Sequence, residues 1–232
     1  MDPMTTPTEQ PRPTTPHLTV RGEAHLETDP ETARIDITVT SRGKDRRTAL
    51  DDLTRRNTTA LDLVKTYGDA VERLETGTLS LSPELKDKGR GERVHAYHGR
   101  VHITAVLNDF TALGELTTRL ADLDLTRVDG PWWALRPDSP AHRQARQQAV
   151  REAVQRAREY AQALGADLAD LLEIADLGTE NTPPHPQPGH RMRTLAYGTD
   201  DDTEAAPLDL APQRQHLHAQ VNARFTMTPP HL

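Results

Sequence analysis

Residues 139–165 read SPAHRQARQQAVREAVQRAREYAQALG and predict the best-defined helix of the chain. Ser139 is suited to cap this helix, Pro140 fits its first turn, and Gly165 fits its end. Small alanine side chains allow a helix to lie close against a β-sheet. The side of the helix predicted to be buried carries Ala145, Ala149, Ala153, Ala157, Tyr160 and Leu164.

The residues before this helix alternate between the period of a strand and that of a helix. Two alternating stretches, residues 17–26 and 33–40, are joined by turn residues and predict a β-hairpin. The pattern after them predicts a helix over residues 45–67, strands over 71–81 and 94–107, a helix capped by Asp109, and a strand over 127–135. Strands over 168–177 and 215–227 are predicted to follow the long helix.

Two segments have the composition of disordered chain. Residues 1–16 are rich in proline and threonine and predict a disordered leader. Residues 178–212 contain a proline-rich run and an acidic run, and predict a disordered insertion because they cannot bury enough apolar surface. The sequence therefore predicts an α+β domain over residues 17–228, in which about three helices pack on an antiparallel sheet.

Composition and charge exclude several kinds of site and partner. The chain has no cysteine, which excludes disulfides, thiolate metal sites and cysteine nucleophiles. A formal charge of −7 argues against nucleic acid as a partner. The first residues lack the basic start and apolar stretch of a signal peptide, and no later segment has the ~20 apolar residues of a membrane-spanning helix. The sequence therefore predicts a cytoplasmic protein without a membrane span.

The core is expected to be thin for a chain of this length. Hydrophobic residues make up 34% of the chain and aromatic residues 3%. A small apolar core indicates that part of the chain is disordered, or that part of the folded surface is buried against another subunit. The sequence predicts a homo-oligomer, or a complex with another protein.

Several local phrases resemble the SIMPL-domain family, which includes bacterial periplasmic immunogenic proteins. They are LTVRGEA at residues 18–24, LSLSP at 79–83, VDGPWWAL at 128–135 and AREYAQALG at 157–165. The resemblance implies an α+β domain of helices packed on antiparallel sheet, and closed homo-oligomers. It also implies a link with stress tolerance and envelope function in bacteria, and supplies no catalytic residues.

Four histidines on two predicted strands are candidates for a metal site. Alternation places His98 and His102 on one face of a strand, together with Arg100, and His216 and His218 lie on the last strand. If these two strands were neighbours, their histidines could line a metal site. The sequence favours the alternative that they are solvated polar residues, because no acidic residue completes a ligand set at a recognisable spacing.

Trp132 and Trp133 are the two indoles of the chain. Alternation sends them to opposite faces of a strand, so one can be buried while the other is an exposed interface anchor. The alternative is that neighbouring loops and helices cover both.

No nucleophile stands beside a base, and no pair of carboxylates has a defined spacing. The sequence therefore predicts a non-enzymatic protein without a cofactor, acting as a self-assembling scaffold or interaction protein. The alternative function is a module that binds a small ligand or a metal on a sheet face lined by histidine and arginine.

Overall fold

The computed structural model describes residues 15–87, 92–182, 206 and 208–231. The chain forms two compact units. Of the described residues, unit 1 contains 15–27, 138–182 and 216–231, and unit 2 contains 28–87, 92–137, 206 and 208–215.

The helices and strands follow the predicted order. They are β1 (His17–Thr28), β2 (Thr32–Gly43), α1 (Arg46–Lys65), β3 (Val71–Asp87), β4 (Glu92–Leu107), α2 (Phe110–Ala121), β5 (Thr126–Ala134), α3 (Pro140–Ala163), β6 (Leu168–Thr182) and β7 (Gln215–Met227), with a short 3-10 helix (Gly68–Ala70) before β3. The strands form one sheet in the order β1-β7-β6 and another in the order β3-β4-β2-β5. The predicted α+β class is confirmed.

The pairing of the first two strands differs from the prediction. Strands β1 and β2 do not form a hairpin, because β1 lies beside β7 while β2 pairs with β4 and β5. Alternation shows that a strand has one buried face, but it does not identify the neighbouring strand. Strands β3 and β4 do pair antiparallel, as predicted.

Helix α3 packs closely in unit 1. Its six buried alanines are Ala141, Ala145, Ala149, Ala153, Ala157 and Ala161. Gly22 of β1 lies against this stripe, where a Cβ atom would come within 2.0 Å of the Ala149 carbonyl oxygen. The Ser139 hydroxyl accepts a hydrogen bond from the Ala141 amide at 3.3 Å and caps the helix as predicted. Tyr160, predicted to be buried, is 54% exposed.

The core of unit 2 lies between its sheet and the helices α1 and α2. Branched aliphatic side chains of β2 and β4 pack there against leucines of both helices. Asp45 caps α1 by accepting from the Thr48 amide at 2.9 Å, and Asp109 caps α2 by accepting from the Thr111 amide at 2.9 Å. Both caps hold their helices in position over the buried face of the sheet.

The ends of the predicted insertion belong to the fold. Strand β6 continues to Thr182. Farther along, the Leu208 amide donates to the Thr118 hydroxyl at 3.1 Å, and Leu210 packs against the core of unit 2. The insertion is therefore shorter than residues 178–212. The disorder predicted for residues 1–14 and 183–205 lies outside the described residues. Within the described ranges, no helix has the length and apolar character to span a bilayer.

Candidate functional site

Strands β1 and β7 lie side by side in the sheet of unit 1. The Met227 amide donates to the Pro16 carbonyl at 3.1 Å. His25 lies nine residues after Pro16 and His218 nine residues before Met227, and the two rings stack. The strands therefore run antiparallel in one register, which makes His25 and His218 a directly opposed pair.

His25 and His218 lie at one of the positions of the ladder where facing side chains come closest. Hydrogen-bonded and non-hydrogen-bonded pairs alternate along an antiparallel ladder, and side chains lie closer in the non-hydrogen-bonded ones. Pro16 and Met227 share a hydrogen bond, so His25 and His218, an odd number of residues away, form a non-hydrogen-bonded pair. Their ring centroids are 4.4 Å apart, with an angle of 8° between the ring planes.

Glu23 completes a cluster with these two histidines. It lies two residues before His25 and so on the same face of β1. One possible ligand atom from each of Glu23, His25 and His218 lies within 4.8 Å of the others. We call these three residues the β1–β7 histidine cluster. They occupy the face of the sheet opposite the one that Gly22 turns toward α3.

Neighbouring polar groups surround the cluster. The Gln220 amide nitrogen is 3.2 Å from the His218 Nε2. The Arg21 guanidinium lies 4.0 Å from the Glu23 carboxylate, a distance at which an exposed ion pair adds little stability. A cleft of about 380 Å³ adjoins the two histidines, with His216 in its wall.

The histidine set suggested by the sequence does not form on neighbouring strands. His98 and His102 lie on β4, between β3 and β2, whereas His216 and His218 lie on β7, between β1 and β6. Sequence reasoning missed Glu23 and His25. Their spacing of two residues places them on the same polar face of β1, and this is evident from the sequence. It indicates a cluster only once β7 is known to be the neighbouring strand.

The histidines of β4 have acidic partners on adjacent strands. The His98 Nε2 is 2.8 Å from the Glu84 Oε2, and Arg42 donates to the same oxygen at 2.7 Å. The His102 Nε2 is 3.8 Å from the Asp36 Oδ1. These polar contacts join β4 to β3 and β2, which is a sufficient structural role for both histidines.

Replacing Arg42 with alanine should raise the pKa of Glu84. Hydrogen bonds from Arg42 and, second, from His98 hold the pKa of this carboxyl below its usual range. A carboxylate with a lowered pKa stabilises the folded state above its unfolded pKa, and this contribution is lost as the pH falls through the folded value. Carboxyl NMR titration of the variant measures the change. An Arg73→Ala control removes an arginine that pairs with Glu75 instead, and an unchanged Glu84 titration in Arg42→Ala would contradict the assignment.

The two indoles lie in different environments. Trp133 packs against the core of unit 2 and contacts Phe110 edge to face, with ring centroids 4.8 Å apart. Trp132 is 43% exposed, and the Arg34 guanidinium carbon lies 4.6 Å from its ring centroid. This is the alternation that the sequence predicted, and the role of Trp132 as an interface anchor stays a prediction.

Strand β6 forms an apolar edge in unit 1. Among the strands that the structure describes, β7 is its neighbour on one side, and its other side is open. Four of its large aliphatic side chains are between 47% and 53% exposed: Leu171, Leu172, Ile174 and Leu177. Exposed hydrophobic groups along an unpaired strand edge favour association with another chain.

Comparison with known proteins identifies the family. The family model named SIMPL, described as a protein of unknown function, matches residues 18–225. The chain belongs to the SIMPL family. Similar proteins include the 26 kDa periplasmic immunogenic proteins of Brucella melitensis biotype 1 and Brucella abortus strain S19. Each is 25% identical over 217 residues, which cover 90% of this chain and 83% of the relative.

These findings confirm the predicted family and contradict the predicted location. The cytoplasmic prediction is wrong, because both SIMPL-type relatives are named as periplasmic proteins. The family description assigns no activity. The non-enzymatic character, the self-assembly and the link with stress tolerance therefore stay predictions for this SIMPL-family chain.

Proposed function

We propose that this SIMPL-family protein is a periplasmic scaffold that assembles with copies of itself through the edge of β6. The supporting observation is the row of half-exposed aliphatic side chains on this edge strand. Covering them would remove apolar surface from water and give the backbone groups of the open edge new partners. The periplasmic location is taken from the names of the two relatives.

Charge favours a second copy of this chain as the occupant of the edge. Strand β6 carries Asp170, Glu173, Asp176 and Glu180 and no lysine or arginine. Helix α3 of the same unit exposes four basic side chains, Arg143, Arg146, Arg151 and Arg158, and one acidic side chain, Glu159. One molecule therefore carries both an acidic apolar edge and a basic surface, and a contact between unlike surfaces builds a ring or a filament.

The intact chain should be oligomeric at micromolar concentration, and the double substitution Leu172→Lys with Ile174→Lys should shift it toward monomer. Both side chains are exposed, so lysine should be tolerated within one molecule but should place unfavourable charge in a buried contact. Size-exclusion chromatography with light scattering measures the mass, against 25.8 kDa for one chain.

A matched control separates β6 from a general effect of added charge. Leu50 on α1 is also exposed, at 40%, and Leu50→Lys should leave the mass unchanged. Circular dichroism checks that every variant is folded. A monomeric parent chain would refute self-assembly. Equal masses for the parent and the β6 variant would exclude this edge.

A further inference from the structure

We propose that the β1–β7 histidine cluster binds a divalent first-row transition metal ion, such as Zn²⁺, through Glu23, His25 and His218. The inference is independent of self-assembly, since the cluster lies on β1 and β7 and the proposed contact uses β6. Two imidazoles and one carboxylate are ligands that proteins use for zinc. The lack of cysteine excludes thiolates, so ions that accept nitrogen and oxygen fit better than soft ions.

The pairing of β1 with β7 brings the two imidazoles close enough to share one ion. An opposed non-hydrogen-bonded pair brings side chains on adjacent strands close together, and the rings of His25 and His218 are stacked in parallel. The lone pair of each ring nitrogen lies in the plane of its ring, so the parallel rings must rotate out of the stack before one nitrogen of each can bind the same ion. Both strands have an alternating buried face, which fixes the register and therefore the pairing of these two histidines.

Side-chain rotation alone would bring the three ligand atoms to the separations found in a zinc site. Ligand atoms about 2.0–2.2 Å from a zinc ion lie roughly 3.3 Å from one another in a tetrahedral site. The ligand atoms of the cluster now lie within 4.8 Å of one another. His25 is exposed and Glu23 is partly exposed, so both can turn toward an ion without disturbing the packing of the sheet on α3.

Neighbours can complete and orient the site. Gln220 lies 3.2 Å from the His218 ring, where its amide oxygen, after rotation, could accept from one ring nitrogen and leave the other for the metal. His216 lines the adjoining cleft. Three protein ligands leave a tetrahedral position open, as in exchangeable or catalytic sites, whereas structural zinc sites have four protein ligands.

Isothermal titration of the full chain with ZnCl₂ tests the proposal. The protein carries no polyhistidine tag and is treated with a chelator and dialysed first. The parent chain should bind one equivalent at the cluster. His25→Ala and His218→Ala should each weaken that binding by more than the roughly tenfold to hundredfold that loss of an outer-sphere partner costs. His25 is exposed, so its removal should leave the fold intact.

The control is His98→Ala, which removes a histidine that already contacts Glu84. It should bind zinc as the parent does. NMR spectra of the imidazole nitrogens should show that zinc shifts the signals of His25 and His218 and not those of His98. The proposal is overturned if the parent binds no stoichiometric zinc, or if zinc binding survives in both cluster variants. Equal weakening by His98→Ala would overturn it as well.

Discussion

Replacing Gly22 with alanine should lower the free energy of unfolding by about 3 kcal/mol, the upper part of the range for overpacking. The new Cβ atom would lie 2.0 Å from the Ala149 carbonyl oxygen and 2.6 Å from the Ala153 amide nitrogen. These are backbone atoms in the middle of α3, so no side-chain rotation can relieve the contact. The helix would have to lift away from the sheet of unit 1 and expose its buried alanines.

Urea denaturation followed by circular dichroism measures this loss. Gly77→Ala is the matched control, because the nearest atom to its new Cβ atom is 3.6 Å away, an ordinary van der Waals distance. Gly77 lies in β3, where alanine should change stability by no more than about 1 kcal/mol. Similar losses for the two variants would show that the close contact between β1 and α3 is not formed.

Replacing Trp133 with alanine should lower the free energy of unfolding by about 3 kcal/mol, near the lower limit for a buried aromatic residue because Trp133 is only partly buried. The change removes the indole from the core of unit 2 and leaves Phe110 without its edge-to-face partner. The cavity cannot close completely, because the surrounding helices and strands are held by their own packing.

The neighbouring indole is the control for this experiment. Trp132 is 43% exposed and contacts Arg34 through a cation–π interaction, so Trp132→Ala should cost about 1 kcal/mol or less. Urea denaturation followed by circular dichroism compares both variants with the parent chain. An equal or larger cost for Trp132→Ala would contradict the assignment of Trp133 to the core.

The local parts of the fold were predictable because their signals are local. Asp109 and Ser139 cap α2 and α3 at the positions that the sequence indicates, and Asp45, the first residue of the predicted first helix, caps α1. A cap is a contact between residues two or three positions apart, so its pattern is visible in a short window. For the same reason, the order of helices and strands and the α+β class could be predicted.

Strand partners were less predictable because they depend on distant residues. The turn-type residues between β1 and β2, Pro30 among them, suggested a hairpin of these two strands. The actual neighbour of β1 is β7, at the other end of the described chain. The buried face of β1 is small and apolar, with Val20 and Ala24 beside Gly22. It suits the alanine stripe of α3, a match of shapes that alternation alone does not show.

The candidate site was predictable only in part. The sequence singled out His218, but it grouped this residue with His98 and His102, which lie in the other sheet. His25 and Glu23 joined the cluster only when the register of β1 and β7 was known. The cytoplasmic prediction was wrong for a different reason, since it was drawn from the composition of the first residues alone.

The middle position of β7 has a consequence for synthesis on the ribosome. Both β1 and β6 have β7 as their neighbour, yet β7 follows both of them in the chain and is translated after them. Every strand of the other sheet has emerged long before it. A nascent chain that stops before residue 215 therefore presents β1 and β6 without their shared partner. Such exposed surfaces are the ones that chaperones bind, so unit 1 should depend on chaperones until β7 has emerged from the ribosome.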